Sequence, residues 1–293
     1  MNYRIENKNL RVDISDLGAE LQSIYGKSTN FEYLWQGNPE FWSGRAYNLF
    51  PICGRLYEGK YTYNGKEYKM GIHGFAKNMM FDVVNKEDNS IVFELKTNEQ
   101  TLSIYPFWFC LRIKYTLIDA KLKQEIEIEN KGIENLYFSF GVHYGFNIPL
   151  CDDAKFDEHY IDFIKEQNLI RELGSSNGLC SGVEVPYDLQ ENRYLPLSHK
   201  LFESNSIVLS NIGTDVTLKC NKTKRYINLS YKDVEHLVLW HTLNTEAPFL
   251  CIEPWHGIPS YDGIVDKLET KRDIINLQTN SEYETFIELT FNE

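Results

Sequence analysis

The sequence predicts an all-β protein, and more specifically a large antiparallel β-sandwich. Short segments with strand character recur along the whole chain with turn-forming residues between them, as expected for a sandwich or barrel. No long segment shows the 3.6-residue periodicity of a helix. The 293 residues are 42% hydrophobic, which is enough for a large core. Because the chain shows no linker, repeat or low-complexity tract, we expect a single domain over residues 1–293.

The first half of the chain contains several strand candidates. Residues 10–15 alternate apolar and polar side chains, which indicates a half-buried strand. Asn64-Gly65 predicts a hairpin within residues 61–68, because this dipeptide supplies the positive φ of a tight turn. Similar patterns predict strands at residues 22–24, 91–95, 107–117 and 122–129.

Strand candidates continue to the end of the chain, where residues 285–291 again alternate. The alternating glutamates of residues 125–129 are most simply the solvated face of a sheet. The remaining predicted strands are residues 159–164, 208–210, 216–220, 227–231 and 237–240, together with a strand-like run within residues 136–147 that has His143 at its end.

Charge and composition exclude several classes of partner. The net charge of −12 argues against binding to nucleic acid or to an anionic membrane. No segment approaches the roughly 20 apolar residues of a membrane helix, and the polar start of the chain lacks a signal-peptide core. From the absence of these signals we expect a cytoplasmic protein, and whether it is a monomer or a homodimer stays open. The six cysteines are scattered and form no Cys-x-x-Cys pair, so we expect free, reduced thiols.

The most informative stretch is Phe249-Leu250-Cys251-Ile252-Glu253-Pro254-Trp255-His256-Gly257. Its apolar run indicates a buried strand, and the proline predicts that the strand leaves the sheet just after Glu253. A carboxylate in such surroundings is poorly solvated, and desolvation raises its pKa toward the range of a general base. The alternative is a strand-end glutamate in a surface salt bridge.

Three further polar residues lie in apolar, aromatic-rich stretches: Arg55, His73 and His143. Together with Glu253 they form a candidate acid/base set. Aromatic rings beside polar groups suit sugars, because the C–H faces of a sugar pack on rings while its hydroxyls take directional hydrogen bonds. The aromatic candidates are Trp42, Phe75 and Trp255, for each of which packing in the core is the alternative interpretation.

Other chemistries find little support in the sequence. The glycine-rich loops of nucleotide-binding proteins and the Gly-x-Ser-x-Gly motif of hydrolases are missing. Glu253-Pro254-Trp255-His256 looks superficially like a Glu-x-x-His metal motif, but Pro254 argues against the helix that such a motif needs. We therefore expect no metal and no cofactor.

Four segments in order give the chain a resemblance to a known family. They are Leu49-Phe50-Pro51-Ile52-Cys53-Gly54-Arg55-Leu56, Ile72-His73-Gly74-Phe75-Ala76, Phe140-Gly141-Val142-His143-Tyr144-Gly145-Phe146-Asn147 and Cys251-Ile252-Glu253-Pro254-Trp255. Over nearly its whole length the chain resembles the aldose 1-epimerase (galactose mutarotase) family, in a divergent bacterial branch of unsettled substrate. The resemblance implies a galactose mutarotase-like β-supersandwich with an open sugar cleft on one sheet. It also implies that Glu253 is the general base, that His143 is the general acid, and that His73 and Arg55 bind the sugar.

The chain departs from the family pattern at two places. His143 is followed by Tyr144, where this branch usually has proline. The aspartate with which the larger family holds sugar hydroxyls has no clear counterpart, and Ser198 or His199 is the nearest candidate. These departures leave the identity of the sugar open.

The resemblance implies interconversion of the α and β anomers of an aldohexose such as galactose or glucose. Glu253 takes the proton of the C1 hydroxyl, His143 gives a proton to the ring oxygen, and the opened chain rotates and closes on the other face. Two alternatives stay open. One is a non-catalytic sugar-binding or sensing protein on the same fold. The other is a hexose-6-phosphate 1-epimerase, which would need a cluster of cations for the phosphate, whereas the cleft motifs contain only Arg55.

Overall fold

The computed structural model describes residues 1–165 and 167–292, and strands make up most of the regular structure. In chain order, the strands of the first half are β1 (Asn2–Glu6), β2 (Leu10–Ser15), β3 (Leu21–Gly26), β4 (Phe31–Glu32), β5 (Ala46–Leu49), β6 (Lys60–Tyr63), β7 (Lys66–Lys69), β8 (Asp82–Lys86), β9 (Ser90–Lys96), β10 (Phe109–Ile118), β11 (Lys121–Asn130), β12 (Leu136–Phe138) and β13 (Phe140–Asn147).

The strands of the second half are β14 (His159–Asp162), β15 (Leu169–Gly174), β16 (Cys180–Tyr187), β17 (Tyr194–Pro196), β18 (Ile207–Ser210), β19 (Asp215–Cys220), β20 (Tyr226–Tyr231), β21 (His236–Trp240), β22 (Phe249–His256), β23 (Asp266–Lys267), β24 (Ile275–Leu277) and β25 (Glu282–Asn292). One short α-helix, α1 (Glu99–Ile104), and short 3₁₀ turns connect them, the turns at Tyr57–Gly59, Ala76–Asn78, Phe156–Glu158, His199–Phe202 and Leu268–Thr270.

Two large sheets organise the fold. One has nine strands in the order β17-β14-β19-β20-β25-β11-β10-β9-β8, and the other has seven in the order β16-β15-β18-β21-β22-β13-β5. All pairings within these two sheets are antiparallel. Smaller sheets of four (β1-β2-β3-β4), three (β23-β6-β7) and two strands (β12-β24) complete the molecule. The predicted all-β, antiparallel fold class is confirmed.

The inner faces of the two large sheets share one core, and a buried hydrogen-bond network joins them. Tyr144 of the seven-stranded sheet donates its hydroxyl to the side-chain carbonyl of Gln124 in the nine-stranded sheet. Gln124 in turn donates to Asn48 on β5 at 2.6 Å, and Asn48 donates to the hydroxyl of Tyr115 on β10 at 3.2 Å. These polar side chains are buried and satisfied, as a polar network between packed sheets must be.

The predicted strands and the predicted hairpin are confirmed. Each predicted segment overlaps a strand, and β6 and β7 are joined through Asn64 and Gly65, both with positive φ. The Glu125–Glu129 face was expected to be solvated, and there Glu127 and Glu129 pair with Arg112 in partly exposed salt bridges. None of the helices in the described part of the chain is both long and apolar enough to cross a membrane.

The expectation that Glu253 and His143 stand at strand ends is wrong. β22 continues through Pro254 to His256, and β13 runs from Phe140 to Asn147, so both side chains lie within strands. Proline lacks an N–H and normally ends a central strand. It is tolerated here because the pairing of β13 with β22 is interrupted beside it, between the Gly141–Trp255 pair and the Tyr144–Ile252 pair.

Candidate active site

The centre of the site is formed by one side chain from each of two neighbouring strands. The register of β13 and β22 brings His143 opposite Glu253, at the point where the backbone ladder lapses. Both side chains leave the sheet on the face away from the shared core, because alternate residues of a strand face opposite sides. His143 Nε2 lies 3.3 Å from Glu253 Oε2. The structure therefore brings the proposed acid and base together.

Glycines on β13 make room for the aromatic rings around His143. Gly141 and Gly145 lie two residues before and after it, on the same face. A Cβ on Gly141 would come within 2.6 Å of Trp255 Cδ1, and a Cβ on Gly145 within 3.0 Å of Trp42 Cζ3. The Gly-x-His-x-Gly pattern thus leaves room for the Trp255 indole beside Gly141 and for the Trp42 indole beside Gly145.

Glu253 is almost fully buried, with 1% of its surface exposed. Burial raises the pKa of its carboxyl well above the usual range, and the nearby indole N–H of Trp255 offsets part of this rise. Oε2 of Glu253 and Nε1 of Trp255 both complete no hydrogen bond with the described residues. Buried polar atoms are rarely left unpaired, so these two are available to a ligand. The prediction of a poorly solvated carboxyl is confirmed, and the surface salt bridge is not found.

His143 lies in a box of aromatic rings. The ring of Trp42 is tilted by 30° to it with centroids 4.6 Å apart, and Trp240 and His73 meet it edge-on at 5.5 and 5.4 Å. Burial lowers the pKa of His143 to about 3, and the positive charge of Lys77 contributes to this. Burial therefore favours the neutral imidazole of His143 and the protonated carboxyl of Glu253. The pair holds one proton, the same number as a carboxylate beside an imidazolium.

His73 and Arg55 are positioned by a loop-to-loop contact. The backbone N–H of Gly54 donates to Nδ1 of His73 at 3.1 Å, and the backbone N–H of His73 donates to the carbonyl of Gly54 at 2.8 Å. Because Nδ1 accepts, the neutral ring of His73 carries its proton on Nε2. Burial lowers the pKa of His73 well below its usual range, followed by the charges of His143, Lys77 and Arg55. His73 is thus a neutral donor next to the exposed guanidinium of Arg55.

These groups line a cleft of about 620 Å³, which is within the usual range for a small-molecule site. Arg55, His73, His143, Glu253 and Trp255 all line it, as does Trp42. Six of the seven candidates, the four acid/base residues and two of the three aromatics, therefore line one cleft. The acidic and basic groups come from segments up to about 200 residues apart in the chain.

Phe75, the seventh candidate, is placed elsewhere. Its ring is buried in the core against Phe50, Tyr105 and Phe109, and it lies outside the residues that line the cleft. Phe75 therefore packs in the core, which was the alternative interpretation for each aromatic candidate. Its backbone N–H donates to the carbonyl of Phe50 at 2.9 Å, so Phe75 anchors the loop that carries His73.

Ser198 and His199 also lie outside the cleft lining. His199 stacks on Phe156 with ring centroids 4.0 Å apart, and its Nδ1 is 3.1 Å from Nε2 of His241. The polar rim of the cleft is instead formed by two loops, at residues 176–178 and 204–206.

Sequence reasoning missed several cleft residues. Lys77 directly follows the recognised Ile72–Ala76 motif, and Trp240 ends a predicted strand, so both had a signal in their neighbours. The two rim loops had none, because only the folding of the sheet brings them to the cleft. Tyr144, the departure from the family pattern, faces the core and not the cleft.

One group of the described residues has the composition of a metal site. Ligand atoms of His143, Cys251 and Glu253 lie within 4.8 Å of one another. A metal would need the thiolate of Cys251 and the carboxylate of Glu253. Burial raises the pKa of both groups well above their usual ranges, which opposes this. The arrangement suits proton exchange better than metal binding.

Comparison with known proteins identifies the relatives of this chain. The sequence profile of the aldose 1-epimerase family matches residues 1–278. The plasmid-encoded protein LacX of Lactococcus lactis subsp. lactis is 32% identical over 266 residues, which cover 88% of each protein.

Solved structures agree with this. A galactose mutarotase related enzyme from Lactobacillus acidophilus is 34% identical, with a TM-score of 0.95 over 100% of this chain and 98% of that one. A galactose mutarotase-like protein from Lactobacillus casei is 29% identical, with a TM-score of 0.95 over the whole of both chains. The family profile, these relatives and the shared fold together show that the chain belongs to the aldose 1-epimerase family.

Proposed function

We propose that the protein is an aldose 1-epimerase that interconverts the α and β anomers of an aldohexose. The observation that carries this proposal is the pair formed by His143 Nε2 and Glu253 Oε2, 3.3 Å apart on the floor of an aromatic-lined cleft. Anomer exchange requires one group that takes a proton from O1 and one that gives a proton to the ring oxygen. Membership of the family, and the description of one relative as related to galactose mutarotase, support the same reaction.

In the proposed mechanism Glu253 is the base and His143 the acid. The pair needs to hold one proton for the reaction, and burial favours Glu253 over His143 as its carrier. Transfer of this proton to His143 across the 3.3 Å contact produces the carboxylate and the imidazolium. Glu253 then takes the proton of the C1 hydroxyl while His143 protonates the ring oxygen. The ring opens to the aldehyde, the C1–C2 bond rotates, and the same two proton transfers in reverse close the ring.

The remaining cleft residues bind the sugar in this proposal. The indole rings of Trp42 and Trp255 offer flat apolar surfaces for sugar C–H groups. His73 donates from Nε2 to a sugar hydroxyl, and Arg55 donates from its guanidinium. The two roles are thus carried by different parts of the cleft: proton transfer takes place at the β13–β22 contact, and the residues around it bind the sugar.

Polarimetry tests the proposal. Freshly dissolved α-galactose and α-glucose should lose rotation faster with the wild type than without it. Glu253→Gln and His143→Asn should each lower the catalysed rate by roughly 10²- to 10⁴-fold, which is the usual contribution of one acid/base group. Arg4→Lys, on an exposed surface pair outside the cleft, serves as the control. An unchanged rate in Glu253→Gln would remove Glu253 from the mechanism.

The same experiment separates turnover from binding alone. A sugar-binding protein without turnover would bind the sugar in calorimetry and leave the rate of rotation at its spontaneous value. That result would favour the non-catalytic alternative, in which the uncharged Glu253 and His143 serve only as hydrogen-bonding groups.

A further inference from the structure

Two cations line the cleft without a counter-ion. Arg55 and Lys77 both belong to the cleft lining. Within the described residues, neither forms a salt bridge with a carboxylate. The molecule as a whole carries a net charge of −12, so carboxylates are abundant elsewhere. A pair of unpaired cations in an acidic protein is therefore a local feature that calls for an explanation.

Lys77 is the more unusual of the two. Its side chain is half-buried, and its Nζ lies 5.1 Å from the centre of the Tyr47 ring. Glu20 is the carboxylate whose charge acts on it. That carboxylate is already occupied by the backbone N–H groups of Arg45 and Ala46, at 2.9 and 3.0 Å. Partial burial of an ammonium group without a directly paired anion is unfavourable, and an anionic ligand would supply that anion.

Arg55 is held so that its guanidinium faces the same space. Its carbonyl accepts from the backbone N–H of Ser260 at 2.8 Å. The turn at Gly178 packs against its side chain, because a Cβ on Gly178 would lie 3.3 Å from Nε. Arg55, Lys77 and His73 line the same cleft, and the charges of both cations act on His73. A planar guanidinium and an ammonium around one space suit a phosphate or a carboxylate.

We propose that Arg55 and Lys77 form an anion-binding subsite, and that the preferred substrate is an aldose bearing a phosphate or carboxylate group away from its anomeric carbon. This inference rests on the proposed function, whose acid/base pair lies in the same cleft. Sequence reasoning found only one cation in the cleft motifs, and Lys77 is the second. The anion neutralises the two cations while the anomeric carbon lies over His143 and Glu253.

The test compares neutral with anionic sugars in two measurements. Binding is measured by calorimetry and anomer exchange by NMR, with glucose and galactose, their 6-phosphates, and glucuronate and galacturonate. We expect at least one anionic class to bind and exchange about 10-fold better than the neutral sugars, which corresponds to about 1.4 kcal/mol. Comparing the 6-phosphates with the uronates shows whether the subsite prefers a phosphate or a carboxylate. The affinity should fall as salt is added, because salt screens exposed charges.

Variants assign this preference to the subsite. Lys77→Met keeps the length of the side chain and removes its charge, and should reduce the ratio of anionic to neutral affinity about 10-fold, whereas Lys77→Arg should retain most of it. Lys86→Met removes a charge from an exposed strand outside the cleft and is the matched control. Equal loss of the ratio in Lys77→Met and Lys86→Met would overturn the subsite.

The outcomes separate this inference from the proposed function. Anomer exchange with equal preference for neutral and anionic sugars would overturn the subsite and leave the epimerase proposal standing. Lys77-dependent binding of an anionic sugar without any exchange would support the subsite and overturn the epimerase proposal. Neither binding nor exchange with any of these sugars would overturn both.

Discussion

At the scale of single residues, the unusual feature of this protein is a carboxyl group that is buried away from solvent. Glu253 is buried between β13 and β21, and its Oε2 has no hydrogen-bond partner among the described residues. Such a group disfavours its charged form, so the folded protein holds this proton more tightly than the unfolded chain does. Burial of this ionisable carboxyl therefore makes the free energy of unfolding depend on pH.

Replacing this carboxyl should stabilise the protein at alkaline pH. The pKa of Glu253 is raised in the folded state, so its favourable contribution is complete below the unfolded value near 4.5 and is lost as pH rises toward the folded pKa. Glutamine has no proton to lose. We expect the melting temperature of Glu253→Gln to exceed that of the wild type at pH 8, and the difference to vanish near pH 4. Thermal melting between pH 4 and 9 measures this.

The pKa shift of His143 has the opposite direction, so its effect on stability appears at the other end of the pH range. Its pKa is lowered to about 3, so stability is lost as pH falls from the unfolded value near 6.5 toward 3. This loss occurs at acidic pH, below the range in which the two proteins should differ most. A difference between wild type and Glu253→Gln that stayed constant from pH 4 to pH 9 would contradict the burial of an ionisable carboxyl.

At the scale of elements, β13 carries both the core and the cleft. Its even-numbered residues Val142, Tyr144 and Phe146 face the core, while Gly141, His143 and Gly145 face the cleft. The strand can hold a histidine among indole rings only because its two neighbours on that face lack side chains. Changes on the two faces should therefore have separable effects.

Gly141→Ala should disturb the cleft. The new Cβ would lie 2.6 Å from Trp255 Cδ1 and 3.0 Å from Cys53 Sγ, so the indole beside Glu253 must move. We expect a loss of roughly 1–3 kcal/mol in stability, as is usual for overpacking, together with a reduced rate of anomer exchange. Denaturant unfolding and polarimetry measure the two effects. Gly71→Ala is the control, since a Cβ there meets nothing within 4 Å; similar behaviour of both variants would contradict the packing argument.

Tyr144→Phe should disturb only the core. It removes the hydroxyl that bonds Gln124 across the two sheets and leaves a buried carbonyl unpaired. We expect a loss of about 1–3 kcal/mol in stability, with anomer exchange retained because the side chain faces away from the cleft. Tyr25→Phe, whose hydroxyl bonds Asn30 at the surface, should change stability much less. A selective loss of exchange in Tyr144→Phe would show that this departure from the family pattern reaches the site.

At the scale of the whole molecule, the fold buries nearly all of its thiols. All six cysteines are free, and all but Cys151 are buried. This agrees with the expectation of free, structural thiols drawn from their scattered spacing. Burial raises the pKa of the thiols of Cys53, Cys110, Cys180, Cys220 and Cys251 and so keeps them unreactive.

Thiol titration should reflect this arrangement. In the native protein, a disulfide reagent such as Ellman's should react rapidly with about one thiol per chain, and in denaturant with all six. Cys151→Ser should abolish the rapid native reaction. Rapid reaction of several thiols in the folded protein would contradict the closed packing of the core, and fewer than six in denaturant would indicate disulfides.

Much of the fold was predictable because strand patterns are local. Alternation in residues 10–15 and the Asn64-Gly65 turn act over a few neighbours, and β2 and the β6–β7 hairpin follow them directly. The position of Glu253 within its strand was not predictable, because tolerance of Pro254 depends on a lapse in pairing with another strand. Phe75 was misplaced because an aromatic beside a histidine looks the same whether it faces core or cleft.

By itself, the sequence determined the all-β class, the run of strands and the residue types capable of acid/base chemistry, since composition and short-range periodicity carry these. Only the tertiary structure decided that Glu253 and His143 meet 3.3 Å apart, that Lys77 joins Arg55 in the cleft, and that Tyr144 and Phe75 face the core. The physical reason is that register and sheet order bring together residues over 100 positions apart, and proton affinities depend on the burial that this creates.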